Sequence, residues 1–398
     1  MNKAYRPYAP RLVEIPYESV PFARITFCLD SEDSCGTTYP QDARNLSLIC
    51  NETNQPFIAI VGIAYPGETL SAFGLSSGYQ WYVDGSPVIG ETNNTYIIKT
   101  RDIGCDIRCD ALGLQSNILT CWHPRDENGA EMILVANEQL FTDTAGTSLS
   151  TGPTQTIARL DDISGNGYFA QRGSAFGYES VTFDSPSNPT NNWQIRLQTS
   201  SPSNSASYFD INGTTSDPGD IFRNKQYGYL ISGCRATNPS SVSQGGSHRV
   251  AWFGAGTTES NVRLGIYARR ASGELFAAVS RIDDAIPAVT ASSPANTNYN
   301  VLTAYGNWAN GEISLRVNGV TQDTQALASS GNTSDTRGTA NRIGIREPSG
   351  LISTQQQFVG GRFNSVFAIT PNSPLTPSAL SRLERFAGLL GGLNIPLV

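Results

Sequence analysis

The sequence predicts an all-β fold made of more than one sandwich-type domain, with one helix near the C-terminus, and three observations predict it. Short apolar runs of strand length recur along most of the chain, separated by clusters of Gly, Asn, Ser and Thr, which is how turn-linked strands read. Thirty-eight glycines and 22 prolines in 398 residues suit a turn-dense β protein. Apolar residues recur at three to four positions only near the end, where Leu380, Leu383, Phe386 and Leu389 or Leu390 follow Pro377-Ser378 and stop at Gly391-Gly392. A chain of this length is long for one domain and comfortable for two or three.

Charged residues make up 15%, the net charge is -7, and the only lysines are Lys3, Lys99 and Lys225. That composition carries no basic footprint for nucleic acid or an anionic membrane, so neither is expected as a partner. No run of about 18 apolar residues marks a membrane helix. The first twenty residues have no apolar stretch of the kind a secretory leader needs, so none is expected.

Residues 1–21 hold four prolines and three tyrosines without periodicity. They read as an extended arm ordered by something it lies on. Between Arg24 and Thr53, Ile25–Leu29 and Leu46–Cys50 flank an acidic loop, giving two expected strands. Residues 1–53 are thus an arm with a small β satellite. From residue 54, Phe57–Ala64 reads as a continuous apolar strand and Gly67-Glu68 as a turn. Gln80–Val83 alternates, with Trp81 and Val83 on one face, and ends in an Asp84-Gly85 hairpin turn. Thr95–Ile98 and the alternating Cys105–Cys109 complete a segment of about 65 residues. Trp81 and Cys109 are its expected core residues.

This segment resembles the immunoglobulin-like modules of bacterial and phage proteins, through Q-W-x-x-D-G-x-x-V at Gln80–Val88 and D-x-G-x-x-I-x-C at Asp102–Cys109. The resemblance implies an immunoglobulin-like sandwich over residues 54–121. The strand near Leu70–Phe73 carries no cysteine, so Cys109 lacks the usual cross-sheet partner and the core must close by packing.

Residues 122–398 read as strands at Gly228–Ser232, Val250–Phe253, Val262–Tyr267, Glu274–Val279, Asn300–Tyr305 and Glu312–Val317. Phe141–Thr147, Leu160–Gly167, the Val317-Asn318-Gly319 hairpin, Phe358–Val366 and the Leu375–Ser378 helix start resemble concanavalin-A-like, laminin-G-type jelly rolls of phage structural proteins. Leu160 stands where that family usually has Trp. The two resemblances together imply a tailed-bacteriophage virion protein. The expected role is a tail-fibre or baseplate appendage that binds host-surface carbohydrate, with a capsid decoration protein as the alternative and a polysaccharide hydrolase third. The arm would meet other virion proteins, and a homo-oligomer is expected.

Seven cysteines leave an odd thiol if all others pair, and buried thiols are the expectation. Cys105 and Cys109 on one strand lie about 13 Å apart, too far to share a zinc ion. Catalysis is not expected. Glycoside cleavage needs two carboxylates facing one cleft, usually as E-x-D-x-E on a strand, and no such triplet occurs. Gly74–Gly78 matches G-x-S-x-G but lacks the strand before it and the helix after it that make a nucleophile elbow. No cofactor is implied. Calcium is the one cation to consider, with Asp161, Asp162 and Asn166 as oxygen donors; the competing reading is an Asp/Asn turn capping local amides. For a sugar, an aromatic face beside an amide is the pattern to seek, and Trp193 with Asn192 is the expected pair.

Overall fold

The computed structural model describes residues 23–26, 38–41, 58–136, 139–150, 155–172, 181–184, 194–197, 208–235, 247–254, 262–269, 275–279, 289–293, 298–338, 341–344 and 362–398. The fold is all-β with one helix. It divides into two compact units, Met1–Trp122 and His123–Val398. No helix among the described residues is long and apolar enough to cross a membrane.

The first unit is a small two-sheet sandwich. One sheet holds Ala59–Val61, Thr69–Phe73 and Thr95–Ile97; the other holds Leu119–Thr120, Asp106–Ala111, Tyr79–Val83 and Ser86–Pro87, with Leu114–Gln115 beside Asp106–Ala111. Burial alternates along these strands, as a sheet with one wet face demands. Ile60, Leu70 and Tyr96 from one sheet meet Trp81, Ile107 and Cys109 from the other. Trp81 is fully buried, pairs in register with Cys109, stacks on Tyr96 at 5.4 Å, and donates its indole N–H to Asn93 O at 2.8 Å. The Asn117 side chain accepts from Ile60 N and donates to Ile60 O, tying the segment after the hairpin to the opposite sheet. Asp84 and Gly85 both have positive φ, the requirement of a two-residue hairpin turn.

Two expectations change here. Among the described residues of the run Phe57–Ala64, only Ala59–Val61 form a strand. Gly62 breaks it at φ +138°, and a Cβ there would sit 2.8 Å from Thr69 O. In the satellite, Ala23–Thr26 pairs antiparallel with Thr38–Gln41. The expected strand Leu46–Cys50 and the arm 1–21 lie outside the described residues.

The second unit is a larger sandwich of antiparallel sheets. Among the described residues the first sheet runs Val181–Asp184, Gln194–Leu197, Arg362–Ile369, Tyr227–Arg235, Tyr299–Asn307, Glu312–Val317, Val320–Ala326, with Ala130–Val135 also on Arg362–Ile369. The second runs Leu140–Phe141, Arg159–Asp161, Tyr168–Arg172, Tyr208–Gly213, Asn341–Gly344, Ser247–Gly254, Val262–Arg269, Leu275–Val279, Val289–Ser293. Their inner faces share one core, with Leu230, Ala304 and Leu315 from the first sheet and Phe209, Phe253 and Leu264 from the second. Leu160 and Trp308 are fully buried in it.

The helix Pro377–Leu389 lies on the outer face of the first sheet, making a third layer. Thr376 caps it, accepting from Ala379 N, and Pro377 stands at its first position, where a missing N–H costs nothing. Leu383, Phe386 and Ala387 are buried, and Phe386 stacks on Phe367 of the sheet at 6.1 Å.

His123 begins the second unit and caps a short 3-10 turn, its Nδ1 accepting from Arg125 N at 3.0 Å. Burial, helped by the Arg125 charge and opposed by Asp126, lowers its pKa to about 4. The fold therefore holds the neutral ring, and its contribution is complete above pH 6.5 and is lost as pH falls toward 4.

Two outcomes follow. Trp81→Ala should destabilise the first unit by about 3–5 kcal/mol, seen as loss of amide-exchange protection across Tyr79–Val83 with protection at Tyr227–Arg235 retained. Unchanged protection at Tyr79–Val83 would remove Trp81 from the core. His123→Asn keeps a capping acceptor without a titrating ring. Relative to that variant, the wild-type chain should lose on the order of 2–3 kcal/mol between pH 6.5 and pH 4, read from denaturant unfolding at each pH; parallel curves would contradict the neutral, buried ring.

Candidate functional site

Four neighbouring strands of the first sheet fix the site by their register. Tyr229 stands opposite Tyr305, Tyr305 opposite Ser314, and Ser314 opposite Thr324. Residues directly opposite across a sheet share a face. Because Leu230, Ala304 and Leu315 point into the core, this row points outward. One row further along, Thr303 faces Arg316, and there the helix sits. The tyrosine row thus emerges beside the start of the helix, where Leu375, Pro377 and Leu380 form the wall of an open groove of about 530 Å³.

The floor is aromatic. Tyr229 and Tyr305 stack at 4.3 Å between centroids and 10° between planes. Tyr229 is buried, and its hydroxyl oxygen accepts from Leu375 N at 3.1 Å, which holds the segment entering the helix against the sheet. Tyr305 is the partly exposed member of the pair. Burial raises both phenol pKa values; the Tyr305 hydroxyl donates a hydrogen bond to the Tyr229 hydroxyl, which raises Tyr305 further and offsets part of the rise at Tyr229. The Ser314 and Thr324 hydroxyls continue the row, and the exposed Glu312 stands beside Ser314 on the same strand, in the adjacent row opposite Asn307 and Ala326.

The groove's end under the helix is held by charge. Glu384, 1% exposed, takes Arg316 in a two-point pair, Nε to Oε1 at 2.8 Å and Nη2 to Oε2 at 2.9 Å, and accepts the Thr303 hydroxyl at 2.8 Å. Arg316 also reaches Thr321 Oγ1 and Gly319 O. Its donors are committed to the fold. Glu312 is then the single acidic side chain lining the groove among the described residues apart from that buried pair.

The residues singled out from the sequence fall elsewhere. Trp193 and Asn192 lie outside the described residues. Asp161 pairs with Arg159 on its strand. Asp162 turns the other way, accepting from Ile133 N at 2.7 Å, from Ser164 N at 2.9 Å and from the Ser164 hydroxyl. Burial pushes its carboxyl up and these donors pull it down, burial being the larger. Asn166 spends its amide N–H groups on Ala130 O and Glu131 O. This is a turn capping local backbone, and no cluster of three or more His, Cys, Asp or Glu suited to a metal occurs among the described residues. Glu127 binds Arg382 of the helix and Glu131 binds Lys225, so those two carboxylates serve separate ion pairs. Gly74–Gly78 is a loop; the strand Thr69–Phe73 does precede it, contrary to expectation, but it leads into the strand Tyr79–Val83 and not into a helix. Cys109 is buried, its thiol pushed up to about 11 by desolvation.

Sequence reading missed the tyrosine row because Tyr229, Tyr305, Ser314 and Thr324 come from four strands and no local motif links them. The one available signal was Tyr229 and Tyr305 occurring at outward positions of strands that were themselves visible.

No family model matches the chain, and no curated protein matches it. Among solved structures, it is similar to the binding domain of botulinum neurotoxin serotype D at 10% identity and TM-score 0.38, covering 64% of this chain and 51% of that one. The binding domain of botulinum neurotoxin DC in complex with SialylT gives 9% identity and TM-score 0.42, covering 67% and 52%. The same domain in complex with rat synaptotagmin II gives the same four values. The chain spans about half the length of these domains. So loose a likeness carries no weight for function.

Removing one partner of the Arg316–Glu384 pair leaves a charge with little solvent. Glu384→Gln should cost about 3 kcal/mol, lowering the thermal midpoint of the full chain, while Glu384→Asp should recover part of it. A midpoint unchanged in Glu384→Gln would show that the helix is held by its apolar face alone.

Proposed function

We propose that this protein is a binding appendage that holds host-surface carbohydrate in the Tyr305 groove, without cleaving it. The observation that supports the reading best is the outward row Tyr229–Tyr305–Ser314–Thr324, with Glu312 in the next row beside Ser314. A pyranose has an apolar face and a rim of hydroxyls, and it is met by an aromatic ring beside hydroxyl and carboxylate groups. Tyr305 gives a rigid ring already stacked from below, so little ordering is needed on binding. The lone acidic side chain among the groove's free lining groups favours retention over hydrolysis.

The wider setting in this proposal is the virion of a tailed bacteriophage. The two-sheet first unit, with Trp81 against Cys109, would be the immunoglobulin-like spacer, and the second the concanavalin-A-like head. The arm over residues 1–21 would anchor the chain to other virion proteins. A single shallow groove of millimolar affinity corresponds to only about 4 kcal/mol. Several copies held in one appendage would turn that into useful attachment.

The experiment passes the full-length chain over immobilised capsule or lipopolysaccharide and assays for new reducing ends. Retention without reducing ends is expected, with Tyr305→Ala weakening it roughly tenfold, the size of one aromatic stacking contact. Trp193→Ala in parallel assigns the second aromatic candidate. New reducing ends would make the protein a hydrolase; no retention in any multimeric form would make it a decoration protein.

A further inference from the structure

Among the described residues of the first unit no cysteine pair bridges the two sheets, yet two thiols stand opposite one another within a sheet. Leu119 pairs with Ile107 and Thr120 with Asp106 in antiparallel register. The next position along sets Cys121 against Cys105, and the Cys121 amide donates to Cys105 O at 2.9 Å. The Gly104 amide returns to Cys121 O at 3.1 Å, closing the end of the ladder.

Side-chain alternation places both sulfurs on one face. Thr120 and Asp106 point to solvent, where their side chains bond to each other at 2.7 Å. Ile107, Leu119 and Cys121 point inward and are buried. Cys105, one step before Asp106, shares that inward face at its margin and is partly exposed. Directly opposed residues have Cβ atoms about 4.5–5.5 Å apart, and a disulfide needs about 3.5–4.5 Å between Cβ atoms. Closure therefore asks for a shift of about 1 Å at the end of a two-residue strand, the easiest place in the unit to move. Other described thiols are poorer partners. Cys109 is four residues from Cys105 on one strand, about 13 Å away, and Cys234 is buried in the other unit's core.

We propose that Cys105 and Cys121 close a disulfide once the protein meets a disulfide oxidant, and that this bond ties the edge strand Leu119–Thr120 to its neighbour within the sheet. The inference is independent of the carbohydrate reading. Cys105, the more accessible thiol, attacks as thiolate on an oxidant such as glutathione disulfide, forming a mixed disulfide and releasing one glutathione. Cys121 then attacks the Cys105 sulfur and releases the second. The two thiol protons leave with the two glutathiones, the cysteine pair is oxidised by two electrons, and the oxidant is reduced by two. Burial, the neighbouring Asp102 carboxylate and the Cys105 sulfur all raise the Cys121 thiol, so the second step is the slow one.

The bond would pin Leu119–Thr120, the last strand before Trp122, to the strand carrying Cys109. Without it, that short edge pairing is open to fraying. Such a bond is formed and kept outside a reducing cytoplasm, where a released particle would work.

The test uses the full-length chain, purified reduced and then incubated with glutathione disulfide. Remaining thiols are alkylated under denaturing conditions, and linked peptides are sequenced by tandem mass spectrometry. A Cys105–Cys121 link is expected, and it should persist in Cys109→Ala. Amide exchange at Leu119–Cys121 should slow about tenfold on oxidation. In Cys121→Ser, Cys105 should stop as the glutathione mixed disulfide. Alkylation of both cysteines after oxidant treatment, or a link from Cys105 to any other cysteine, would overturn the proposal.

Discussion

The second unit depends on a charge pair that the sheet and the helix make together. Glu384 is 1% exposed, and a buried carboxylate without partners is strongly disfavoured. Arg316 answers it from the sheet at two points, and Thr303 adds a third hydrogen bond. The helix's apolar face, with Leu383 and Phe386, would pack on an apolar sheet surface in several registers. The charge pair admits only one, because sliding the helix by a turn would leave both charges unpaired. Attraction in such a pair does little more than offset desolvation. Its physical effect is to select a position.

That position is fixed at both ends. Near its start, Leu375 N reaches the Tyr229 hydroxyl, and Arg382 one turn later binds Glu127. At its close, the Tyr299 hydroxyl lies 2.7 Å from Ala387 O, and a Cβ on Gly391 would meet the Tyr299 ring at 2.0 Å. Glycine is needed there for close approach, beyond its use in stopping the helix. With both ends set, the helix covers Thr303 and Phe367 and leaves Tyr305 partly open. The groove is a consequence of where the helix is held.

Much of this was legible in the sequence, for local reasons. The helix was visible because Leu380, Leu383, Phe386 and the glycines after them are near neighbours in the chain. Trp81, the Asp84-Gly85 turn and the strand at Glu312–Val317 were visible for the same reason. Gly62 was not read as a break, since an apolar run hides the backbone angle it requires. Asp161 and Asp162 looked like a cation site because adjacent acids invite that reading; the pleat sends one to Arg159 and the other to backbone amides. Arg316, Glu384 and the tyrosine row depend on which strands lie side by side. That information sits in pairings between positions tens of residues apart, such as Tyr229 with Tyr305, and no window of sequence contains it.

The electrostatics of the groove bear on what it can do. A hydrolytic site works by holding two titratable groups at different protonation near neutral pH. Here the phenols of Tyr229 and Tyr305 are pushed up, away from neutrality, by burial, and Tyr305 is raised further by Tyr229. Glu384 is occupied by Arg316, and Arg316 is occupied in turn. What is left facing solvent is an aromatic edge, two hydroxyls and the Glu312 carboxylate. Each of them can take part in a hydrogen bond. On the proposed carbohydrate reading, such a surface would gain its affinity from shape and from many weak contacts, and it would gain more by being repeated than by being deepened.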